Sequence, residues 1–232
     1  MEQVPARVLV VFAHPDDAEF GCAGTVARWV AQGAEAFYVM CTNGDKGSED
    51  PALTSPELAR IRETEQREAC RILGAKELVC LGFPDGGLED THDLRRELVR
   101  CIRQFQPETL ITSSPYRDGI WHRDHRTAGR VALDAVYPYA RDRLIYPEHE
   151  RQGLKPWKVG EVLLWGSDEP DHFVDVTETY STKVQALLAH KSQMGERPEE
   201  NVAKWVRQRC EENGKRLRVP LAEAFKRLEV RR

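Results

Sequence analysis

Apolar positions along this chain fall into two alternating regimes. Short, nearly continuous runs at Arg7 to Ala13, Glu35 to Cys41, Glu77 to Leu81, Thr109 to Thr112 and Glu161 to Trp165 have the length of strands. Most gaps between them repeat apolar residues at helical spacing over ten or more positions. Strands alternating with helices are the pattern of βαβ units on a parallel sheet. Val8 to Ala13 has no polar residue, so it is expected to be an interior strand covered by helices on both faces.

Boundary signals agree with the periodicity. Gly33 ends a helix over Cys22 to Gln32, Ser55 as N-cap and Gly74 as stop bracket Pro56 to Leu73, and Thr91 to Phe105 runs up to Pro107. Beyond Trp165 the pattern predicts an apolar run at Phe173 to Val176, a helix from about Thr177 to Gln193, and a highly charged helical tail from about residue 196. Residues 137 to 160, rich in Tyr, Pro, Arg and Glu, show no clear period. They read as a long surface excursion, either a plain crossing or an aromatic rim for substrate or a neighbouring subunit. With no linker or repeat, residues 1–232 are expected to form a single domain, an α/β fold with a mostly parallel sheet in a Rossmann-like three-layer α/β/α sandwich.

Charge narrows the partners. The chain carries 34 Lys and Arg against 38 Asp and Glu, a net −4, without the basic footprint of a nucleic-acid binder. No apolar stretch approaches the roughly 20 residues of a membrane span. Met1 to Pro5 begins acidic and leads straight into a strand without a signal-peptide pattern, so a cytoplasmic protein is expected. The six cysteines are scattered with no CxxC pair, which reads as reduced, mostly buried thiols.

Chemistry concentrates in two clusters. His14-Pro15-Asp16-Asp17 sits at the exit of the first strand, and His122-Arg123-Asp124-His125 follows the run Thr109 to Thr112. In an open α/β sheet, ligands bind at the carboxyl ends of the strands, where the two clusters can converge. Two imidazoles and one carboxylate hold a divalent metal with open positions, lower the pKa of bound water to about 7 and polarise a carbonyl. Successive side chains on extended backbone point apart, so one of Asp16 and Asp17 can bind metal while its neighbour acts as base. His122 and His125 share a face if their segment is helical: one can ligate while the other faces the substrate carbonyl, and Asp124 can orient an imidazole. The plainer reading makes Asp16 and Asp17 caps of a helix near Cys22 and the second cluster a solvated turn, which leaves their joint occurrence a coincidence. No segment matches a dinucleotide fingerprint, a P-loop or a G-x-S-x-G elbow. A metal-dependent hydrolase is therefore expected. A phosphoesterase, an amidohydrolase on a non-sugar amide and a non-catalytic ligand-binding protein remain open alternatives.

Ala13 to Glu19, Gly21 to Thr25, His122 to His125 and Ala189-His190-Lys191-Ser192-Gln193 closely resemble the LmbE-like, or PIG-L-like, N-acetylglucosaminyl de-N-acetylases. The resemblance implies that His14, Asp17 and His125 are metal ligands, usually for zinc, with Fe2+ also suited to the donor set. It makes Asp16 the general base. His122 would stabilise the oxyanion and protonate the leaving amine, with Asp124 tuning it. Arg62, on the helix Pro56 to Leu73, looks like the family's substrate-contacting arginine; an ion pair with Glu65 is its plainer role. The loop Phe83 to Leu88 resembles one in which Asp85 binds substrate, while Thr42 to Gly47 either lines the cleft or only turns the chain. Arg123 stands where the family often has Pro, which alters loop geometry and rim charge. The implied reaction is water attack on the acetamide of an N-acetylated amino sugar or glycoconjugate, without a covalent intermediate. Relatives of this kind often assemble as trimers or hexamers. His190 is present by resemblance without a role, and His92, His149 and His172 are expected to serve the surface or cap helices.

Overall fold

The computed structural model describes residues 4–195 and 197–230. The five expected strands are β1 (Arg7–Phe12), β2 (Glu35–Thr42), β3 (Glu77–Phe83), β4 (Thr109–Ser113) and β5 (Glu161–Trp165). They pair in parallel, and β6 (His172–Asp175) and β7 (Ala222–Glu229) complete a seven-stranded sheet of order β3-β2-β1-β4-β5-β7-β6. The order reverses between β1 and β4, whose carboxyl ends form the crevice of a doubly wound sheet.

Both faces of β1 are buried, which explains its lack of polar residues. Val8, Val10 and Phe12 pack with α1 (Asp17–Ala31) and α6 (Tyr180–Leu188), through Val26, Trp29 and Leu187. Leu9, Val11 and Ala13 pack on the other face with α3 (His92–Phe105) and α4 (Arg123–Val136), through Leu98, Ile102 and Val131. Alternate side chains of one strand thus serve two layers, giving the three-layer sandwich. Among the described residues, no helix is long and apolar enough to cross a membrane.

Local signals placed most boundaries to within a few residues. Helix α2 (Ser55–Leu73) is capped by Thr54 rather than Ser55, because Thr54 and Glu57 close a reciprocal capping box. Helix α1 starts at Asp17 rather than Cys22, because Asp16 takes a left-handed conformation (φ 86°) that turns the chain into the helix directly after the strand.

Three expectations need correction. The charged tail is helical only through α8 (Glu199–Leu217); the chain then turns at Arg218 and returns as β7, antiparallel between β5 and β6. Its charges hid the strand, yet they find partners: Arg227 meets Glu161 at 2.6 Å, Lys226 meets Asp171 at 2.7 Å, and Glu223 meets Lys183 on α6. The helix expected to run to Gln193 ends at Leu188, and α7 (Lys191–Met194) restarts after His190, which turns inward against Glu19. Residues 137–160 are not a loose rim. They carry a short 3-10 turn (Tyr139–Arg141) and α5 (Pro147–Arg151), and none of them lines the cavity beside the two clusters. His149, expected at the surface, is buried there against Tyr146.

The buried Arg103, at the end of α3, organises that segment by donating to the carbonyls of Tyr139, Ala140, Asp142, Ile145 and Tyr146. One guanidinium thus satisfies carbonyls that would otherwise be stranded away from water. Arg103→Leu should lower the unfolding free energy by about 3 kcal/mol or more in urea denaturation, while Arg103→Lys recovers part of it. An Arg103→Leu protein as stable as the parent would show that water replaces the guanidinium.

Candidate active site

The first cluster is built by the tight exit from β1. Asp17 N–H donates to the His14 carbonyl at 3.3 Å, and the Asp17 carboxylate turns back to accept the His14 main-chain N–H at 2.8 Å. Asp16, on the left-handed corner, donates its own N–H to Gln66 Oε1 at 3.1 Å. Asp is one of the few non-glycine residues that tolerate this conformation.

The second cluster opens α4. His122 is the N-cap: its Nδ1 accepts the main-chain N–H of Asp124 at 3.2 Å. Ser113 Oγ at the end of β4 donates to the His125 carbonyl at 2.7 Å, and Gly129 lets α4 lie against β4, since a Cβ there would stand 2.1 Å from the Ser113 carbonyl oxygen. That approach brings His125 onto the end of β1.

The two clusters meet. His14 Nδ1 lies 3.1 Å from His125 Nε2 and 3.5 Å from Asp17 Oδ2, and His125 Nε2 lies 3.0 Å from Asp17 Oδ1. Ligands around a tetrahedral ion with bonds of about 2.0–2.1 Å stand roughly 3.3 Å apart, so the three groups fit one divalent cation. Ligand atoms of His14, His122 and His125 also fall within 4.8 Å of one another, as do those of His14, Asp85 and Asp124. The two rings of candidates use opposite nitrogens of His14. Its Nε2 is 3.0 Å from Asp85 and 3.2 Å from Asp124, a carboxylate–imidazole pairing that leaves Nδ1 bare toward Asp17 and His125.

The Asp124 carboxylate contacts a different imidazole from the one expected to be tuned by it, although its charge also acts upward on the His122 pKa. Its fully buried carboxylate faces His14, not His122, and accepts the N–H groups of Gly86 (2.7 Å) and Leu88 (3.2 Å). Helix α4 presents residues 122 and 124 to different sides, so only the main chain of Asp124 meets His122.

Charges in the cluster are strongly coupled. Burial opposes a charge on His14, but Asp17 and Asp85 outweigh it and raise its pKa to about 10. Burial would raise Asp17; the two imidazoles hold it well below the carboxylate range instead. Asp16 is lifted to about 7 by burial and the Asp17 charge, against the pull of Arg62. His122 is lowered by burial and by the His14 and His125 charges. With Nδ1 accepting, neutral His122 carries its proton on Nε2, a free donor.

Arg62 is not an ion-pair partner of Glu65, which instead accepts from Ser192. It is buried, and it donates to the carbonyls of Pro15, Gly44 and Lys46, with Asp16 at 3.6 Å and Asp85 at 3.8 Å. The guanidinium thus braces the two loops flanking the cluster, and the Thr42 to Gly47 segment forms part of that wall. Asp85 is committed to His14 and to the Lys46 N–H, which together hold its pKa down although burial would raise it.

Sequence reasoning missed a second layer. Gln66 bridges the Asp16 N–H to the fully buried Glu19, whose other oxygen stands 3.3 Å from the buried His190. The i, i+4 spacing of Arg62 and Gln66 was the available signal, since it puts both on one face of α2.

Size alone does not mark the site: a larger hollow of about 930 Å3, bordered by Tyr137, Arg141 and Leu228, contains no residue of either cluster. The fold and this His/Asp cluster at the carboxyl ends of β1 and β4 define an α/β protein built around a hydrolytic type of centre. Comparison with known proteins agrees: residues 9–136 match the PIG-L family, described as GlcNAc-PI de-N-acetylase. A diacetylchitobiose deacetylase of Thermococcus kodakarensis is 31% identical over 195 residues, covering 82% of this chain and 71% of that one. A probable N-acetyl-alpha-D-glucosaminyl L-malate deacetylase 2 of Bacillus cereus is 31% identical over 192 residues, covering 81% and 83%. The structure of N,N'-diacetylchitobiose deacetylase from Pyrococcus horikoshii superposes with a TM-score of 0.91 at 28% identity, over 97% of this chain and 84% of that one. The chain belongs to the PIG-L (LmbE-like) family.

His14 supplies a pH test. Its folded pKa near 10 exceeds the ordinary 6.5, so its charge stabilises the metal-free fold fully below about pH 6.5, and that contribution is lost as pH rises through 10. If His14 is a ligand, a cation has to displace its proton, so metal uptake at pH 7.5 should release protons, and apparent affinity should climb toward pH 10. Calorimetry in buffers of different ionisation enthalpy reads this directly; uptake without proton release would remove His14 from the ligand set. Asp124→Asn should weaken metal binding by about 10–100-fold in competition with a chelator, because His14 loses its orienting carboxylate.

Proposed function

We propose that this protein is a metal-dependent N-deacetylase that removes the acetyl group from an N-acetylglucosamine-type sugar or glycoconjugate. One observation supports the reading: donor atoms of His14, Asp17 and His125 converge, the His122 ring stands 4.6 Å from that of His14 and 5.2 Å from that of His125, and the buried Asp16 carboxylate is near enough to Asp17 to be raised by its charge. The activities for which the relatives are named, deacetylation of diacetylchitobiose and, for the probable enzyme of Bacillus cereus, of an N-acetylglucosaminyl malate, support the same substrate class.

In this reading His14 Nδ1, Asp17 and His125 Nε2 hold zinc, or ferrous iron, which suits the same ligands. When bound, the cation supplies Lewis acidity, polarising the acyl oxygen and making water acidic near neutral pH. Asp16, with a carboxyl near 7, takes a proton from the attacking water as the new C–O bond forms. His122 Nε2–H donates to the oxygen that becomes negative. The C–N bond then breaks, the proton held on Asp16 passes to nitrogen, and amine and acetate leave. Asp124 orients His14. Asp85 and Arg62 form the polar wall beside Asp16, on which an amino sugar's hydroxyls can be recognised.

Acetate release from a panel of N-acetylglucosamine conjugates, before and after chelation and zinc restoration, tests the proposal. Chelator-sensitive, zinc-restored release is expected; metal-loaded protein inactive across the panel would reject it. Asp16→Asn should retain metal and lose about 10²–10⁴-fold in kcat. The rise of kcat/KM with pH that reports its deprotonation should vanish with it. His122→Asn keeps a cap acceptor but loses the Nε2 donor, so kcat should drop about 10²–10³-fold with KM little changed. A raised KM at unchanged kcat would make His122 a binding residue.

A further inference from the structure

A cavity of about 300 Å3 opens directly off the Asp17 and His125 side of the cluster, on the face away from Arg62 and Asp85. The single methyl of an acetyl group would fill a small part of it. Its walls are aromatic. Trp121 meets the His125 ring edge-on at 4.8 Å, and the Arg117 guanidinium lies over Trp121 at 4.3 Å. The rings of Phe20 and Trp205 meet at 5.2 Å. Trp165 packs so tightly on α1 that a Cβ on Gly21 would stand 2.6 Å from its ring, so the glycine is what lets helix and indole close this wall, while Arg117, Arg209 and Asn213 add polar groups to the lining.

The floor adds no free charge. Lys183 and Glu223 are paired at 2.5 Å with side chains 1% and 4% exposed. Lys183 also donates to the Phe20 carbonyl, and Glu223 accepts the N–H groups of Gly24 and Thr25. Both ions are consumed by the protein, so the deep end selects by shape and apolar surface. The opposite side of the cluster is polar, with Asp16, Asp85 and the Arg62-braced loops. A substrate whose scissile carbonyl sits at the cluster therefore has a polar side for its amino sugar and an apolar one for its acyl chain.

We infer that this cavity is the acyl subsite and that the enzyme accepts N-acyl groups well beyond acetyl, in the range of hexanoyl or phenylacetyl. The inference rests on the N-deacetylase reading above and extends it to the acyl side. Each methylene moved from water into such a cavity adds about 0.8 kcal/mol, roughly fourfold in kcat/KM while space remains.

The test is amine release by the metal-loaded enzyme from N-acetyl-, N-butanoyl-, N-hexanoyl- and N-phenylacetyl-glucosamine. Hexanoyl should exceed acetyl by at least about tenfold in kcat/KM. That ratio should collapse in Val206→Trp, whose indole occupies the cavity. Asn213→Trp, at a half-buried position of the same wall, serves as a second blocking variant should the first fail to fold. A flat or falling series in the parent enzyme overturns the acyl subsite alone, leaving deacetylation intact. A rising series that both blocking variants preserve shows that the chain binds elsewhere, and also overturns it. Release from none of the four substrates rejects the deacetylase reading, and the acyl subsite with it.

Discussion

Crowding of negative charge at the mouth of β1 is the constraint on which the site depends. Asp17, Asp85 and Asp124 contact His14, with Asp16 beside Asp17 and Arg62, and the protein tolerates the four carboxylates together only because most are matched by imidazoles, a guanidinium or main-chain N–H groups. Asp17 leans on two imidazoles, Asp124 on main-chain N–H groups, and Asp85 on His14 with Arg62 nearby. Asp16 is the group left least compensated, and its carboxyl is accordingly pushed upward, toward the range a proton acceptor needs near neutral pH. A cation bound among His14, Asp17 and His125 would relieve the same repulsion.

That arrangement requires rigid elements brought very close. The left-handed corner at Asp16 leaves only four residues between the end of β1 and the start of α1, and Gly129 lets α4 touch the end of β4. Arg62 then fixes the Pro15 and Gly44–Lys46 loops, while Gln66, on the same face of α2, holds the Asp16 corner together with Glu19 and His190. Much of the polar chemistry in this region serves to position main chain, and only a few groups remain free to meet a ligand. The same economy appears at Arg103, where one buried guanidinium orders the segment 137–160.

The C-terminal return of the chain shapes the other side of the site. Strand β7 carries Glu223 under α1 and α8 carries Trp205, Val206 and Cys210 against the cavity, so a part of the sequence that reads as solvated tail supplies both a buried ion pair and an aromatic wall.

Local sequence determined a large part of this protein. The apolar runs marked β1 to β5, most plainly in β1, β4 and β5, because strands buried on both faces have little alternative to apolar side chains, whereas the edge strand β3 is only half-buried. The placement of His14, Asp16, Asp17, His122, Asp124 and His125 after two such strands was equally legible, since side chains at strand exits must converge at the switch point. What only the tertiary structure decided was partnership. Asp124 turned out to face His14, Arg62 to hold main chain, and His190 to reach Glu19, because each pairing joins positions more than a dozen residues apart whose orientations depend on how helices seat on the sheet. Strand β7 was hidden for the same reason: its charged residues become compatible with a sheet only once Glu161, Asp171 and Lys183 are beside them, and no local pattern records that proximity.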